Sequence, residues 1–300
     1  MFLKATALAA IALLLNDLGS AQAVGLQRAV DGAMRGHRGS VVVLDVPSGH
    51  ILAAHNLTGA ARRVARPGSA VKPFTLRALI SSGAVDPAVR FACRRNGRIA
   101  GHKIDCGHPV IPGGLDAIDA LAYSCNDYFT SMALRLLPAQ LQQAFLQAGL
   151  TGPSGLVGQE ARGYVGLAAG ESQLQLQAIG EEDVRTTPLA LLKAYRELAL
   201  RRRNATIDAA DHTVFAGLEA ATEYGMARLA QPASTLKVAG KTGTSLADEG
   251  HWKHGWFAGF APATDPQIVL VVFLEQGTGP ADAAPIAGKV FAAYAAGAHP

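Results

Sequence analysis

Residues 255–275 read GWFAGFAPATDPQIVLVVFLE, and this stretch decides what kind of fold the chain can adopt. Two runs rich in aromatic and β-branched residues, 255–262 and 267–275, are separated by a few turn-forming residues. Such runs are typical of β-strands, and a short turn between them joins antiparallel neighbours. The preceding run TLKVAGKTGTS (235–245) is also predicted to be a strand. The C-terminal part of the chain is therefore predicted to contribute three strands to an antiparallel sheet.

Two more strands are predicted near the other end of the chain. The runs SVVVLDV (40–46) and ILAAH (51–55) are joined by Pro-Ser-Gly-His and indicate a hairpin. Apolar periodicity and capping residues indicate helices elsewhere, over residues 25–36, 69–83, 113–124, 126–138, 138–150, 186–202 and 283–297. Strands from both ends can complete one sheet, with the helices packed beside it. We predict an α+β fold: an antiparallel sheet built from N- and C-terminal strands, flanked by a mostly helical central lobe.

The composition is that of a globular protein with an export signal. Hydrophobic residues make up 49% of the 300 residues and charged residues 17%, which fits neither a disordered chain nor a membrane-embedded one. Lys4, the apolar run 5–15 and the small residues Ala21 and Ala23 on either side of Gln22 are typical of a secretory signal peptide cleaved after Ala23. The apolar run is shorter than the ~20 residues of a spanning helix. We predict a signal peptide over residues 1–23, a single domain over residues 24–300, and export to the periplasm or cell envelope.

The charge of the chain is mildly basic, with a formal net charge of +4 at pH 7. This balance suits an anionic cell-envelope surface. The basic run at 200–204 lacks the interleaved aromatic residues that nucleic-acid-binding surfaces carry, and it is typical of a solvated helix end. No nucleic-acid partner is predicted.

Three cysteines remain in a chain that is predicted to be exported. Cys93 and Cys106 bracket a polar loop, and an oxidising compartment would favour a disulfide between them. His102 and His108 also permit a zinc site, but neither C-x-x-C nor H-x-x-x-H spacing is present. Free thiols are the third alternative. Cys125 is interpreted as an inert thiol that points into the core.

The motif Ser69-x-x-Lys72 lies at the start of a predicted helix. Positions three apart share a helix face, so the Lys72 amine can reach the Ser69 hydroxyl. The free N–H groups at a helix N-terminus stabilise developing negative charge, so this serine could be a nucleophile with its own base. Serine is also a common helix cap. The same spacing recurs at Ser234 and Lys237 in a predicted strand, where it is interpreted as incidental, because such positions face opposite sides.

Two further motifs favour the catalytic interpretation. Ser124 and Asn126 form the only S-x-N of the chain, and Lys241-Thr242-Gly243 is its only K-T-G. In the order S-x-x-K, S-x-N and K-T-G, these motifs are the signature of penicillin-binding proteins and serine β-lactamases. The sequence therefore resembles the penicillin-binding transpeptidases. The flanks of the motifs, the first hairpin and the strand after K-T-G are similar as well, so the resemblance covers residues 38–275.

The resemblance implies a peptidoglycan D,D-transpeptidase that acts on D-Ala-D-Ala stem peptides through an acyl-enzyme and binds penicillin covalently. Ser69 would attack the carbonyl, Lys72 would take its proton, and Ser124 would relay the proton to the leaving nitrogen. Neutral Lys72 requires a lowered pKa, which burial and the charge of a second lysine would provide. The substrate-binding residues implied are Asn126 for an amide and Lys241, Thr242, Gly243 and Thr244 for the terminal carboxylate.

The same resemblance implies which other molecules the protein meets. Peptidoglycan stem peptides and β-lactams are the expected ligands, and the backbone N–H groups of Ser69 and Thr244 would form an oxyanion hole. No metal and no organic cofactor is predicted, because serine acyl transfer requires neither. Which cell-wall synthesis proteins associate with the chain is unknown from its sequence.

Other activities use the same motifs. A D,D-carboxypeptidase would replace the acceptor amine by water, and a class D-like serine β-lactamase would use a carboxylated Lys72. A lactamase could also use a glutamate base, and Glu171 in the run ESQL partly matches the sequence motif of such a glutamate. A rival from another class is an inactive β-lactam-binding domain, acting as a sensor or scaffold. The run Gly-Glu-Glu-Asp at 180–183 stands where the resemblance suggests Gly-Gln-Gly, and we expect this acidic replacement to alter the groove near the site.

Overall fold

The computed structural model describes residues 23–204, 206–248 and 250–297. Apart from Ala23, the signal peptide predicted over residues 1–23 lies outside the described residues and stays a prediction. Within the described part of the chain, no helix is both long enough and apolar enough to cross a membrane. In chain order the elements are α1 (23–33), β1 (Gly39–Asp45), β2 (Ile51–His55), α2 (Leu57–Arg62), α3 (Lys72–Ser81), β3 (Arg98–Ile99), β4 (His102–Lys103), α4 (Ala117–Ala122), α5 (Asn126–Ala133), α6 (Pro138–Gln147), β5 (Tyr164–Val165), α7 (Glu171–Ala178), β6 (Val184–Arg185), α8 (Pro188–Arg202), α9 (Ala209–Glu223), β7 (Ala239–Leu246), β8 (Lys253–Ala261), β9 (Ile268–Leu274) and α10 (Ala284–Gly297).

The five long strands form one antiparallel sheet in the order β2-β1-β9-β8-β7. β1 pairs with β9 over its whole length, for example Val43 with Leu270, so strands from the two ends of the chain lie side by side. Together with the helices between them, this arrangement confirms the predicted α+β fold.

Both faces of the sheet are buried. Along β9, successive side chains point to opposite faces and enter two different cores. Val269 and Val271 face a core shared with α3 and α8, whereas Leu270 and Val272 face a core shared with α1 and α10. A strand covered on both faces needs apolar residues at every position, which explains the continuous run in β9.

The edge strand β7 packs against a 3₁₀ turn, Gly68–Val71, that precedes α3. The two backbones approach so closely that only glycine fits at two positions. A Cβ on Gly243 would lie 2.4 Å from the carbonyl oxygen of Pro67, and one on Gly68 would lie 2.4 Å from that of Thr244. Gly68 also has a φ of +53°, which L side chains rarely adopt. These contacts bring the S-x-x-K and K-T-G motifs together.

The structure differs from the predicted elements in several respects, of which three bear on the site. The helix predicted over 69–83 is divided into the 3₁₀ turn and α3. The strand predicted over 235–245 begins only at Ala239, so Ser234 and Lys237 lie before it and are exposed. Helices α2, α7 and α9 were not predicted. α9 is buried on most of its surface and therefore lacks the clear amphipathic pattern that indicates a helix.

Candidate active site

Ser69 lies in the 3₁₀ turn before α3 and is half-buried. It lines a cleft of about 680 Å³ between the sheet edge and the helical lobe. Seven residues from the three motifs were predicted to form the site together with Lys72. The lining of the cleft includes six of these, namely Ser69, Ser124, Asn126, Thr242, Gly243 and Thr244. The structure therefore brings together segments that lie far apart in the sequence.

Lys72 is fully buried, and its amine is held by the S-x-N motif. Nζ donates to Asn126 Oδ1 at 2.6 Å, to the Ser124 carbonyl oxygen at 2.8 Å and to Ser124 Oγ at 3.2 Å. Among the described residues no hydrogen bond joins it to Ser69, although the helical spacing predicted that contact. An ammonium has three donors, and the three oxygens of the S-x-N motif take all of them.

The S-x-N motif connects the end of α4 to the start of α5. Ser124 has a φ of +56°, a left-handed conformation that is costly for a residue other than glycine. Asn126 is the first residue of α5, and its Nδ2 donates to the carbonyl oxygen of Asp105 at 3.1 Å. The side-chain amide of Asn126 therefore links Lys72 to the loop that contains Asp105.

The K-T-G motif lies on β7, next to the nucleophile turn. Lys241 is fully buried, and its Nζ donates to the carbonyl oxygen of Thr242 at 3.0 Å. Thr244 Oγ1 accepts a hydrogen bond from Gly279 N at 2.9 Å. Trp256, on the neighbouring strand β8, is fully buried, and its indole N–H donates to the carbonyl oxygen of Arg66 at 3.0 Å.

The two buried lysines interact electrostatically. Burial lowers the pKa of Lys72 to about 8, although the nearby groups of Cys106, Cys125 and Glu181 partly offset this effect. Burial and the charge of Lys72 lower the pKa of Lys241 well below its usual value. The sequence predicted that burial and the charge of Lys241 would lower the pKa of Lys72, and burial is the main cause in the structure. Repulsion between two ammonium groups is mutual, so each charged lysine favours the neutral form of the other.

The acidic run at 180–183 has a defined place beside the nucleophile turn. The carbonyl oxygen of Gly180 accepts a hydrogen bond from Gly68 N at 3.1 Å, and a Cβ on Gly180 would lie 2.1 Å from the Gly68 carbonyl oxygen. Glu181 follows directly and lines the cleft. Burial raises the pKa of its carboxyl group, against the opposing effect of Arg66. Glu171, the other glutamate considered, is exposed in the first turn of α7 and does not belong to the cleft lining.

The three cysteines lie together beside the cleft as free thiols. The disulfide between Cys93 and Cys106, one of the three alternatives considered from the sequence, is not formed in this structure, since their Sγ atoms are 3.7 Å apart. Cys125 is buried, as predicted, but its Sγ lies 3.4 Å from that of Cys93 and 3.8 Å from that of Cys106. The sulfurs form a triangle instead of a bonded pair.

The family of the chain follows from comparison with known proteins. A family model described as the penicillin binding protein transpeptidase domain matches residues 39–294. This region contains the three motifs and every strand of the sheet. The chain therefore belongs to the penicillin-binding protein transpeptidase domain family, and the resemblance stated from its motifs is confirmed.

Individual relatives agree with this assignment. The peptidoglycan D,D-transpeptidase PbpA of Mycolicibacterium smegmatis is 27% identical over 266 residues, which are 76% of this chain and 54% of that protein. The chain spans about half the length of the curated relatives it matches.

Two solved structures show the same fold. The crystal structure of Pseudomonas aeruginosa PBP2 in complex with WCK 5153 is similar with a TM-score of 0.78 at 23% identity, covering 90% of this chain and 76% of that chain. The ceftriaxone acyl-enzyme complex of penicillin-binding protein A from M. tuberculosis is similar with a TM-score of 0.75 at 23% identity, covering 90% and 78%.

Proposed function

We propose that this chain is a peptidoglycan D,D-transpeptidase that cleaves the D-Ala-D-Ala amide of stem peptides through an acyl-enzyme on Ser69, and that β-lactams acylate the same serine. The observation that carries the proposal is the buried amine of Lys72. It is held by Ser124 and Asn126 beside a cleft that Ser69 and the K-T-G strand also line. The names of the curated relatives and the acyl-enzyme complex of a structural neighbour support the proposal.

Acylation uses three side chains in sequence. The Ser69 oxygen attacks the substrate carbonyl while its proton passes to neutral Lys72. The oxyanion accepts hydrogen bonds from the backbone N–H groups of Ser69 and Thr244, each contributing about 3 kcal/mol. Ser124 Oγ, 3.2 Å from the Lys72 amine, relays the proton to the leaving nitrogen, and the C–N bond breaks to release D-alanine. An acceptor amine then attacks the ester, frees Ser69 and completes the new peptide bond.

Substrate binding is assigned to the two walls of the cleft. The Asn126 side chain and the backbone of β7 bind the peptide amides, while the hydroxyls of Thr242 and Thr244 bind the terminal carboxylate. Lys241 contributes from behind this wall, since its amine is buried and engaged with a carbonyl oxygen.

The proposal includes a location outside the cytoplasm, because stem peptides are cross-linked there. The predicted signal peptide over residues 1–23 would deliver the domain to that side of the membrane. Association with other cell-wall synthesis proteins is part of the same proposal, without a named partner.

Hydrolysis of the acyl-enzyme is the second candidate function, and Glu181 is the observation that favours it. A carboxylate in the cleft can activate water, as a D,D-carboxypeptidase or a β-lactamase requires. A carboxylated Lys72 is disfavoured, because the carbamate would place acceptor oxygens against the three oxygens that now accept from the amine.

Mass spectrometry after incubation with penicillin tests the acylation step. We expect an adduct on the intact protein that is absent from Ser69→Ala. The matched control is Ser234→Ala, because that exposed serine belongs to the second S-x-x-K and should leave the adduct unchanged. An unmodified wild-type protein would identify an inactive scaffold, and rapid release of hydrolysed penicillin would identify a β-lactamase.

Product analysis then separates transfer from hydrolysis. The protein is incubated with muropeptides that end in D-Ala-D-Ala, with and without an acceptor amine. Cross-linked products that depend on the acceptor support the transpeptidase, whereas products shortened by one D-alanine under both conditions identify a carboxypeptidase.

A further inference from the structure

Cys93, Cys106, His108 and Cys125 form a cluster next to the active site. The sulfur atoms and one imidazole nitrogen of this group all lie within 4.8 Å of one another. Three of the four residues are buried, and Cys93 is half-buried. The cluster joins the loop between α3 and α4 to the S-x-N motif, because Cys125 lies between Ser124 and Asn126.

The spacing of the sulfurs matches the edge of a zinc coordination tetrahedron. With Zn–S bonds of about 2.3 Å, two thiolates of a tetrahedral site lie about 3.8 Å apart. The three Sγ–Sγ distances are 3.4, 3.7 and 3.8 Å. A disulfide, with its bond of about 2.05 Å, would join two of the sulfurs and leave the third thiol buried beside them. One metal ion at the centre uses all three.

His108 is oriented to supply the fourth ligand. Its Nδ1 lies 2.7 Å from the carbonyl oxygen of Pro109, which can only accept, so Nδ1 carries the proton. Nε2 then has a free lone pair. The His108 residue is only 2% exposed, and Nε2 has no hydrogen-bond partner among the described residues. An unsatisfied buried nitrogen is costly, and a backbone-bonded imidazole is the usual arrangement of a metal-ligating histidine.

Each sulfur also accepts one backbone N–H. Arg95 N donates to Cys93 at 3.2 Å, Asp127 N to Cys106 at 3.4 Å and Tyr128 N to Cys125 at 3.4 Å. Hydrogen bonds from amides favour the thiolate, which is the form that binds a metal. The backbone therefore offers each of the three sulfurs one hydrogen-bond donor.

We propose that Cys93, Cys106, His108 and Cys125 bind one Zn²⁺ in a tetrahedral site. Three thiolates and an imidazole are the donors of closed structural zinc sites, and they exclude the hard cations Mg²⁺ and Ca²⁺. Binding releases one proton for each thiol that was protonated, so that each Zn–S bond replaces an S–H bond. All four coordination positions belong to the protein, so the ion takes no part in acyl transfer.

The bound zinc positions the S-x-N motif, a role that rests on the proposed acyl transfer at Ser69. Between Cys93 and Cys106 the regular structure consists of β3 and β4, which have two residues each. The same loop supplies the carbonyl oxygen of Asp105 that accepts from Asn126. Metal bonds to Cys106 and to Cys125 would fix the position of the Asp105 carbonyl relative to the S-x-N motif. They would thereby also fix the positions of the oxygens that surround the Lys72 amine.

Metal analysis of the full chain, purified with added zinc and a reductant, tests the site. We expect one zinc per chain after dialysis. Cobalt(II) in place of zinc should give the intense visible bands of a tetrahedral ion and a near-ultraviolet thiolate charge-transfer band. His108→Gln should lower the affinity for zinc at least about tenfold. His102→Gln is the matched control, because that exposed histidine on the same loop lies outside the cluster and its loss should leave the metal content unchanged.

A conservative variant protects the test against misfolding. His108→Cys keeps four ligands and should retain one zinc per chain. Protein without zinc under these conditions, or cobalt spectra of an octahedral ion, would overturn the site. So would a Cys93–Cys106 disulfide detected by peptide mapping in protein isolated without a reductant.

The positioning role has its own readout. The rate of acylation by a fluorescent penicillin is measured for the zinc-loaded wild type and after removal of the ion by a chelator, and it should fall at least about tenfold and return on adding zinc. An unchanged rate would refute the positioning role and leave the metal content as the test of the site. Failure of acylation in the zinc-loaded protein would count against the proposed function instead.

Discussion

The pH dependence of acylation tests the assignment of Lys72 as the base. Only the neutral amine can take a proton from Ser69, and burial lowers the pKa of this amine to about 8. At pH 7 about one tenth of the molecules carry neutral Lys72, and at pH 9 about nine tenths do. The rate constant for acylation should therefore rise about tenfold between these two values and level off above them.

Replacing Glu181 by glutamine should move this profile. The Glu181 carboxylate stabilises the ammonium form and so raises the pKa of Lys72. Without that charge the pKa of Lys72 falls, so a larger fraction of the amine is neutral at pH 7. Complete neutralisation would raise the rate at pH 7 about tenfold, and this is the upper limit of the effect. We expect faster acylation at pH 7, by less than this limit, and an unchanged rate at pH 9.

The measurement is stopped-flow fluorescence with a fluorescent penicillin from pH 6 to pH 10. Glu182→Gln is the matched control, because Glu182 is the adjacent carboxylate but does not belong to the cleft lining. A flat wild-type profile between pH 7 and 9 would refute the role of Lys72. A shift to higher pH in Glu181→Gln, or an equal shift in the control, would refute the electrostatic argument. A longer-lived acyl-enzyme in Glu181→Gln would instead favour hydrolysis as the natural reaction.

Two further substitutions test the support of the nucleophile turn. Gly180→Ala should destabilise the fold by about 2 kcal/mol or more and slow acylation, because its Cβ would lie 2.1 Å from the Gly68 carbonyl oxygen at a φ of +79°. Tyr195→Phe should cost about 1 kcal/mol, because the buried hydroxyl donates to the Ala70 carbonyl oxygen at 2.8 Å. Denaturant unfolding measures both effects.

Each of these substitutions has a control of the same chemical type. Gly170→Ala should change the stability by less than about 0.5 kcal/mol, since nothing lies within 4 Å of the added Cβ. Tyr128→Phe should be neutral or stabilising, because that hydroxyl is buried and has no hydrogen-bond partner in the described part of the chain. Equal losses in a variant and its control would show that the named contacts do not determine the stability.

The sheet could be predicted from the sequence because its strands carry strong local signals. β9 is apolar at every position, as a strand buried on both faces must be, and the hairpin of β1 and β2 contains its own turn residues. α9 gave no such signal, since it is buried on most of its surface and its apolar residues do not form a single stripe. The prediction was therefore good for the sheet and poor for one of its longest neighbouring helices.

The members of the site could be predicted, but their contacts could not. S-x-x-K spacing predicted a contact between the Lys72 amine and the Ser69 hydroxyl, which no hydrogen bond among the described residues makes. The orientation of the amine depends instead on Ser124 and Asn126, more than fifty positions away. The cysteines were harder still. Their triangle depends on the path of a loop with little regular structure, and spacing rules for zinc sites do not cover ligands contributed by separate elements.

The pairing of β1 with β9 has a consequence for how the polypeptide matures. A chain that emerges with its N-terminus first presents the β1–β2 hairpin long before residues 268–274 exist to pair with it. Until then the β1 edge that will pair with β9 stays open and apolar side chains of the hairpin stay uncovered, a state that favours aggregation. Contacts between such distant segments also form slowly. Acylation competence should therefore be a late event of biogenesis, reached only when the last strand closes the sheet.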